Sequence, residues 1–267
     1  MKINDLFKVE KKVVLITGGS RGIGEMMASG FLANGAKVYI SSRKSNDCMQ
    51  TANRLSEKYQ NECIALPADI SDLKGINKLF DIFNEKSSSL DVLINNAGAV
   101  WGEPFNKFSE DGWDKVMDLN VKAIFFMIQK FSNLLKINSS YDNPSRIINI
   151  GSIDGINTPY YENYSYSVAK SAVHKLTAVL AAKLIKENII CNAIAPGPFP
   201  SKMLGSAVEH DYSVISKKNP SGRVGRPEDI VGLAIFLASK AGQYTVGETI
   251  TCDGGLVASA GHDLTND

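Results

Sequence analysis

Seven short runs of β-branched and other apolar residues recur along the chain, and helical segments separate most of them. The runs span residues 13–17, 36–42, 63–68, 92–95, 146–151, 189–194 and 248–252. Between them, apolar side chains follow the spacing of an amphipathic helix, as at Ile23, Met27 and Phe31. Strands that are almost wholly apolar and alternate with helices are typical of a parallel sheet covered by helices on both faces. Because such crossovers are right-handed, we expect an α/β protein with a doubly wound, seven-stranded parallel sheet.

The same alternation continues from one end of the chain to the other. The 267 residues contain no long Pro-, Gly- or Ser-rich linker and no repeat, so we expect one domain over residues 1–267. One segment interrupts the pattern, because residues 197–222 follow the sixth run and contain Pro198, Pro200 and Pro220. Structureless insertions of about 25 residues in a compact domain are usually binding loops or lids. We therefore expect residues 197–222 to form a lid over a substrate.

Composition and charge exclude several classes of partner. The 29 Lys and Arg residues nearly balance the 28 Asp and Glu residues, whereas a general nucleic-acid binder needs a surplus of cations. No stretch approaches the ~20 apolar residues that span a bilayer, and the first residues lack the apolar core of a signal peptide. We expect a cytoplasmic protein that binds neither nucleic acid nor membrane.

The cysteines and histidines do not follow a metal-binding pattern. Cys48, Cys63, Cys191 and Cys252 are far apart and form neither a C-x-x-C pair nor a zinc-ligand spacing, so we interpret them as buried thiols. The three histidines stand alone, without an H-E-x-x-H pattern. The sequence therefore predicts no metal site.

A glycine-rich turn joins the first predicted strand to the first predicted helix. It reads Gly18-Gly19-Ser20-Arg21-Gly22-Ile23-Gly24. Glycines let the backbone turn sharply and approach a pyrophosphate, whose charge is met by unpaired N–H groups at the helix N-terminus. Glycines also make ordinary tight turns, but a position between a strand and a helix favours a nucleotide site.

The spacing of this turn is T-G-x-x-x-G-x-G, beginning at Thr17, because Met27 stands where the G-x-G-x-x-G motif would place its next small residue. The turn resembles the cofactor loop of the short-chain dehydrogenase/reductase family. Asn95-Asn96-Ala97-Gly98 matches the N-N-A-G motif of that family, and the resemblance covers residues 6–256. It implies a Rossmann-type fold and an oxidoreductase with a nicotinamide cofactor.

The end of the second predicted strand indicates which nicotinamide cofactor binds. NAD sites usually place an acidic side chain there, which would repel the 2′-phosphate of NADP. Here the strand ends in Ser42, Arg43 and Lys44, with no Asp or Glu before Asp47. Arg43 can form charge-assisted contacts to a phosphate together with Arg21 of the glycine turn. A solvated basic helix start is the alternative, and we expect NADP in preference to NAD.

Two more polar groups close predicted strands at the edge where open α/β sheets bind ligands. Asp69 follows the third run, and Asn96 follows the fourth. Asp69 could instead cap a helix, since Asp72 and a helical pattern come directly after it. The resemblance implies that Asp69 contacts the adenine ring and that the N-N-A-G segment supports the central sheet.

A tyrosine and a lysine four residues apart form the core of the predicted catalytic site. Tyr166 and Lys170 share one face of a helix, because apolar residues follow at helical spacing. A nearby cation favours the phenolate and is expected to bring the tyrosine pKa from ~10 toward the working range. Ser152, which ends the fifth run 14 residues earlier, can stabilise charge on a substrate carbonyl oxygen as hydride arrives. A turn or cap serine is the alternative.

Asn120 lies inside an apolar helical pattern, where a polar amide needs a partner. The residues alone leave a satisfied core asparagine open, whereas the resemblance implies a catalytic tetrad of Asn120, Ser152, Tyr166 and Lys170, with Asn120 holding a water in a proton relay. It also places Ser201 where a hydroxyl binds the nicotinamide carboxamide. The expected cofactor contacts are Gly18, Ser20, Arg21, Gly22, Ile23, Gly24, Ser42, Arg43, Asp69, Ile70, Asn96, Ala97, Gly98, Tyr166, Lys170, Pro196, Gly197 and Ser201.

The expected activity is NADPH-dependent reduction of a carbonyl. The resemblance is best to 3-oxoacyl-[acyl-carrier-protein] reductases of the rhamnolipid-biosynthesis type, so a 3-oxoacyl thioester is the expected substrate. Sugar, polyol or small-ketone dehydrogenases share the motifs, and a cofactor-sensing regulator without turnover is a remote alternative. Apolar side chains suited to an acyl chain, or simply to packing the lid, are Trp101, Phe199, Met203 and Leu204, with Val100 beside them.

Two predicted helices carry apolar residues more widely than one buried stripe needs. They cover about residues 114–135 and 161–186. Pairing about a two-fold axis would cover such faces, and the resemblance also implies assembly. We expect a homotetramer.

Overall fold

The seven predicted strands form one parallel sheet in the computed structural model, which describes residues 2–159, 161–201, 204 and 211–260. The strands are β1 (Val13–Thr17), β2 (Lys37–Ser41), β3 (Cys63–Ala65), β4 (Val92–Asn95), β5 (Ser145–Ile150), β6 (Ile189–Pro196) and β7 (Thr249–Cys252). Their order is β3-β2-β1-β4-β5-β6-β7. The predicted doubly wound Rossmann-type sheet is confirmed.

Two strand ends differ from the predicted ones by two residues or more, and the others by one residue at most. β3 ends at Ala65 instead of residue 68, and Pro67, which has no N–H to donate, follows shortly after. β6 extends to Pro196 because Ala195 and Pro196 still pair with β7.

The helices flank this sheet. They are α1 (Ile3–Leu6), α2 (Gly22–Ala33), α3 (Ser45–Tyr59), α4 (Leu73–Asn84), α5 (Glu110–Met117), α6 (Ala123–Ile137), α7 (Tyr164–Leu184), α8 (Ser213–Lys218) and α9 (Pro227–Ala238). A π turn over Asp118–Lys122 separates α5 from α6, so the long helix expected over 114–135 is interrupted. None of the helices in the described part of the chain is long and apolar enough to cross a membrane.

Alternate side chains of each strand point to opposite faces of the sheet and create two apolar layers. Ile16 and Ile40 point to the face that α2, α3 and α9 cover, where Phe31, Leu55 and Leu237 are buried. Leu15 and Tyr39 point to the other face, covered by α4, α6 and α7, where an aromatic cluster includes Phe83 and Phe131. Because both faces are covered, the strands are almost continuously apolar.

The position of β1 creates the site. β1 pairs with β2 on one side and with β4 on the other, so the chain leaves it in opposite directions in the two halves of the sheet. The carboxyl ends of β1 and β4 therefore flank the crevice in which this kind of sheet binds ligands.

The segment 197–222 is described in part, and Gly197, Phe199 and Leu204 near its start lie at the same edge. Positions 202, 203 and 205–210 lie outside the described residues. The part that follows contains α8, so it is not structureless as expected.

Candidate active site

A cleft of about 1080 Å³ crosses the carboxyl ends of the strands. Its walls come from the turns after β1 to β6 and from the first turns of α7. Most of the predicted site residues line it, namely Gly18, Ser20, Arg21, Gly22, Ile23, Ser42, Arg43, Asp69, Ile70, Asn96, Ala97, Gly98, Ser152, Tyr166, Lys170, Pro196, Gly197, Phe199, Ser201 and Leu204. The chain thus brings residues from six strand ends into one elongated site.

The glycine turn is held against the end of β4 at a distance that leaves no room for a side chain. Gly18 has a φ of +66°, and a Cβ there would stand 2.8 Å from Asn96 Nδ2. The Asn96 amide donates to the carbonyl oxygens of Thr17 (2.9 Å) and Gly18 (3.1 Å). Gly24 does not line the cleft; it packs on the Gly18 carbonyl, where a Cβ would collide. Asn96 therefore fixes the turn, and Gly24 lets α2 approach it.

Three cations lie at the end of the cleft that is formed by the turns after β1 and β2. Arg43 and Lys44 follow β2, and Arg21 precedes α2, so all three line the wall near the expected ribose. Ser41 and Ser42 occupy the end of β2, where an NAD site would carry a carboxylate. The charge at this end suits a phosphate group, although Asp47, in the first turn of α3, also lines it.

Asp69 does not cap α4. The Asp72 side chain is the cap, because its Oδ1 accepts a hydrogen bond of 2.7 Å from Gly75 N. The Asp69 carboxylate instead accepts from Ser71 N (3.1 Å) and lines the cleft next to Ile70. The structure therefore removes the capping alternative and leaves Asp69 facing the site.

Tyr166 and Lys170 lie on one face of α7, as the spacing predicts. The Lys170 Nζ is 5.4 Å from the centre of the Tyr166 ring and donates a 2.7 Å hydrogen bond to the Ile150 carbonyl oxygen at the end of β5. Only 4% of Lys170 is exposed. Burial lowers the pKa of Lys170 to about 8, while the nearby Asp154 carboxylate opposes this shift.

The pKa of Tyr166 moves in the direction opposite to the predicted one. Burial raises it to about 12, a hydrogen bond with Ser152 opposes the rise, and the negative charge of Asp154 adds to it. In this structure the loss of hydration on burial is the largest of these effects. Tyr166 therefore holds its proton at neutral pH, which suits a proton donor.

Ser152 ends β5 and is only 8% exposed. Its Oγ accepts a 3.1 Å hydrogen bond from Asp154 N, at the start of a 3-10 turn over Ile153–Gly155. The cap role that the sequence left open is therefore present. The hydroxyl also lines the cleft beside Tyr166, so both roles fall on one side chain.

Asn120 lies in the π turn and is fully buried. Its amide donates to Ala99 O (2.9 Å), and its Oδ1 accepts from Ala99 N (2.8 Å). A Cβ at Gly98 would stand 3.2 Å from Asn120 Oδ1 and 3.8 Å from Lys170 Nζ, so this glycine lies between the two side chains. Asn120 is behind the cleft wall and anchors the loop after β4, while a water relay to Lys170 stays a prediction.

The predicted substrate residues fall into three groups. Phe199 and Leu204 line the cleft, and Met203 lies outside the described residues. Trp101 is not among the described residues of the cleft wall; its indole packs on Gly112, below the Lys115 ammonium at 4.6 Å from the ring centre. Trp101 thus buttresses α5 because Gly112 leaves a space that the indole fills.

Two polar residues of the site, Asp154 and Asn163, were not predicted from the sequence motifs. The Asn163 amide donates a 3.1 Å hydrogen bond to Asp154 Oδ2, and its Oδ1 accepts from Ser167 Oγ (3.1 Å). Both Asp154 and Asn163 line the cleft next to Ser152 and Tyr166. Their positions, two residues after Ser152 and three before Tyr166, are the only sequence signal that points to them.

The fold and the site together define an oxidoreductase with a dinucleotide cleft and a Ser-Tyr-Lys group at one end. The chain belongs to the short-chain dehydrogenase/reductase family. Residues 18–257 match a family model described as enoyl-(acyl carrier protein) reductase.

Relatives of known function cover nearly the whole chain. It is 44% identical over 256 residues to a rhamnolipids biosynthesis 3-oxoacyl-[acyl-carrier-protein] reductase of Pseudomonas aeruginosa, with 94% of this chain and 98% of the relative covered. It is also 35% identical to a 2-dehydro-3-deoxy-D-gluconate 5-dehydrogenase of Escherichia coli, with 94% and 98% covered. A solved structure of the Pseudomonas aeruginosa RhlG/NADP active-site complex superimposes with a TM-score of 0.90 at 43% identity, with 95% and 99% covered.

Proposed function

We propose that this protein reduces a carbonyl to a hydroxyl with NADPH and that its substrate is a 3-oxoacyl thioester. The observation that carries the proposal is the single cleft that joins Arg43 at one end to Ser152, Tyr166 and Lys170 at the other. The 44% identity to a 3-oxoacyl-[acyl-carrier-protein] reductase supports the substrate, and the NADP complex of a 43% identical structure supports the cofactor.

The residues of the cleft fit a dinucleotide phosphate. The glycine turn presents backbone where a side chain would block the wall, and Arg21 and Arg43 supply positive charge at the ribose end. Ser201 packs on Gly22, since a Cβ there would stand 3.3 Å from the Ser201 Cβ, so the segment after β6 lies against the glycine turn. When bound, NADPH supplies a hydride to the carbonyl carbon.

The proton comes from the chain itself. Ser152 donates a hydrogen bond to the carbonyl oxygen and stabilises the negative charge that develops there. Tyr166, which keeps its proton because of burial, transfers it to that oxygen. Lys170 holds the cofactor ribose and, as a cation, favours the phenolate that the transfer leaves behind. Asn120 connects this group to water through the relay.

Apolar side chains of the cleft favour an acyl substrate. Val100, Phe199 and Leu204 line the wall near the catalytic group. Their surface suits a hydrocarbon chain, because burying apolar area against apolar side chains is favourable. We propose that residues 197–222 close over this chain as a lid of a single domain spanning 1–267.

The assembly and the location of the protein are also part of the proposal. We place it in the cytoplasm, because its four cysteines are all free thiols, as is usual in a reducing compartment. We propose a homotetramer, because α6 and α7 carry exposed apolar side chains.

A turnover screen tests the function. The purified protein is given NADPH and, in turn, an acetoacetyl thioester of N-acetylcysteamine, ethyl acetoacetate, L-sorbose and acetone, and the loss of NADPH absorbance is followed. We expect the thioester to give the highest kcat/KM. A higher kcat/KM for the ketose would contradict the acyl substrate, and no oxidation of NADPH with any carbonyl would favour the sensor alternative.

A further inference from the structure

The substrate half of the cleft has an acidic wall. We define the substrate half as the cleft-lining residues of the turns after β4 and β5, of α5 and the π turn, and of the start of α7. Four carboxylates line it, from Glu103, Asp118, Asp154 and Glu162. The charge of Asp118 is met by Lys122, which donates a 3.0 Å hydrogen bond to it. The remaining three carboxylates have no salt-bridge partner among the described residues.

Asp154 is the carboxylate closest to the chemistry. Its backbone N–H donates to Ser152 Oγ, and its charge acts on both Tyr166 and Lys170. The Asn163 amide orients the carboxylate. Burial raises the pKa of Asp154, and the hydrogen bond from Asn163 and the charge of Lys170 oppose that rise and favour the carboxylate. A substrate whose carbonyl oxygen sits between Ser152 and Tyr166 therefore has a fixed carboxylate nearby.

Glu162 and Glu103 hold two loops together at the mouth of the cleft. Glu162 Oε1 accepts from Phe105 N (3.3 Å) and from Tyr164 Oη (3.1 Å), and Glu103 Oε2 accepts from Ser109 N (2.7 Å) and Ser109 Oγ (2.8 Å). All these donors are neutral. The hydrogen bonds lower the pKa of Glu103, so its negative charge is present at neutral pH. Both side chains are fixed charges rather than mobile ones.

The described cations of the substrate half compensate this wall only in part, because its four carboxylates face two ammonium groups. Lys170 acts on the charge of Asp154 and donates its hydrogen bond to the Ile150 carbonyl oxygen, and the ammonium of Lys115 lies over the Trp101 ring. Arg21, Arg43 and Lys44 follow β1 and β2, whereas Ser152 follows β5. β2 and β5 are three strand spacings apart, or about 14 Å, so the Arg43 end is beyond reach of a small substrate held at Ser152.

From this wall we infer that the enzyme selects carbonyl substrates without negative charge near the carbonyl, such as esters and thioesters, and rejects keto acids. The inference rests on the proposed reductase function and sharpens its substrate class. A negative charge on the substrate would lie beside the carboxylates of the wall, and like charges placed together disfavour binding, which is a direct route to specificity. Selection against charge would distinguish the substrates of this chain from those of relatives named for gluconate derivatives, because gluconate derivatives carry a carboxylate.

A matched pair of substrates tests the inference, because ethyl acetoacetate and acetoacetate share a carbonyl and differ in charge. With saturating NADPH, we expect kcat/KM for the ester to exceed that for the acid at least about tenfold at pH 7. In Asp154→Asn and in Glu162→Gln, the ratio of ester to acid falls about threefold or more. The control Glu110→Gln, at an exposed position that does not line the cleft, keeps the wild-type ratio.

Two results overturn the inference: an acid reduced as well as the ester, or a ratio that stays the same in both variants. If neither compound is reduced, binding decides the inference, and the proposed function fails only when the acetoacetyl thioester is not reduced either. The rise in Tm of the NADP⁺ complex is measured with ethyl 3-hydroxybutyrate and with 3-hydroxybutyrate. A rise with the ester alone supports selection against charge, whereas an equal or larger rise with the acid, or no rise with either, contradicts it.

Discussion

Burial controls the protonation of Tyr166 and Lys170, the two groups to which we assign the chemistry. It raises the pKa of Tyr166 to about 12 and lowers the pKa of Lys170 to about 8, because both charged forms lose hydration in the closed end of the cleft. The Asp154 carboxylate raises both pKa values. The residues thus resist forming a phenolate until charge develops on a substrate, which suits reduction, where tyrosine gives up its proton.

Removal of the Tyr166 hydroxyl tests its role as donor. Tyr166→Phe is expected to lower kcat with the acetoacetyl thioester by ~10²-fold or more, because the proton donor is lost. NADPH affinity, measured by calorimetry, stays close to wild type because the glycine turn and Arg43 are untouched. Tyr244→Phe is the matched control, since that side chain is fully exposed and does not line the cleft. Activity of Tyr166→Phe within a few-fold of wild type would exclude the assignment.

The buried Lys170 ammonium is expected to lower the stability of the folded protein. Its pKa falls from 10.5 to about 8 on folding, so the penalty on the charged form is fully present below pH 8 and disappears as the pH rises toward 10.5. Lys170→Met is expected to abolish turnover and to raise the free energy of unfolding at pH 7 by up to about 3 kcal/mol. In urea titrations the gain shrinks at pH 9.5. A loss of stability equal at both pH values would contradict the effect.

Cofactor choice is predicted to depend on Arg43. Arg43→Ala is expected to raise the Kd of NADPH at least about tenfold and to change that of NADH little, because only NADPH carries the 2′-phosphate. Fluorescence titration of both cofactors measures this. Lys11→Ala, an exposed cation away from the cleft, serves as the control. An equal loss of affinity for both cofactors would mean that Arg43 does not face the phosphate.

At the scale of elements, the site depends on the turns in which helices and strands end. The π turn between α5 and α6 directs Asn120 inward, and its two hydrogen bonds to Ala99 fix the loop after β4. π turns of this kind are frequent at functional sites. The 3-10 turn after β5 sets Ser152 opposite α7. Each element end therefore supplies one catalytic or anchoring group.

The segment after β6 is predicted to act as a lid. Replacing residues 204–217 with a short Gly-Ser linker is expected to raise KM for the thioester about tenfold or more, because the acyl chain loses part of its wall. The Kd of NADPH stays nearly unchanged, since the glycine turn and Arg43 lie elsewhere. Steady-state kinetics and calorimetry measure the two effects. A parallel loss of cofactor affinity would show that the segment belongs to the cofactor site instead.

At the scale of the whole molecule, the sheet brings residues that are distant in sequence into one cleft. Arg43 after β2 and Tyr166 on α7 line the same cleft although 123 residues separate them. The outer surface of α6 and α7 leaves Phe125, Val168 and Val179 exposed, the last by 55%. Apolar side chains on neighbouring helices are suited to a self-complementary interface.

The proposed tetramer has a direct test. We expect light scattering at micromolar concentration to give about four times the 28.9 kDa of one chain. A charge on the exposed face, as in Val179→Asp, is expected to shift the mass downward, because an assembled interface would have to bury that carboxylate. Val214→Asp, on α8, is the comparison at an exposed apolar position elsewhere. A wild-type monomer would contradict the assembly.

The features that the sequence determined are local ones. Apolar runs and helical spacing predicted all seven strands, because a strand buried on both faces must be apolar whatever its neighbours are. The glycine turn and the four-residue interval from Tyr166 to Lys170 were also readable, since backbone freedom and helix geometry act within a few residues. These features were sufficient for the fold class and for the placement of Tyr166 and Lys170 on one face of α7.

Only the tertiary structure decided how distant residues share one space. Trp101 packs on Gly112 rather than on the cleft wall, and Asp154 and Asn163 join Ser152 beside Tyr166. The Tyr166 pKa rises where the sequence predicted a fall, since hydration depends on everything packed around the ring. The acidic wall likewise arises from loops that follow different strands. The burial of a group and the charges that act on it depend on all the residues packed around it in space. A motif defined by sequence spacing does not specify those residues.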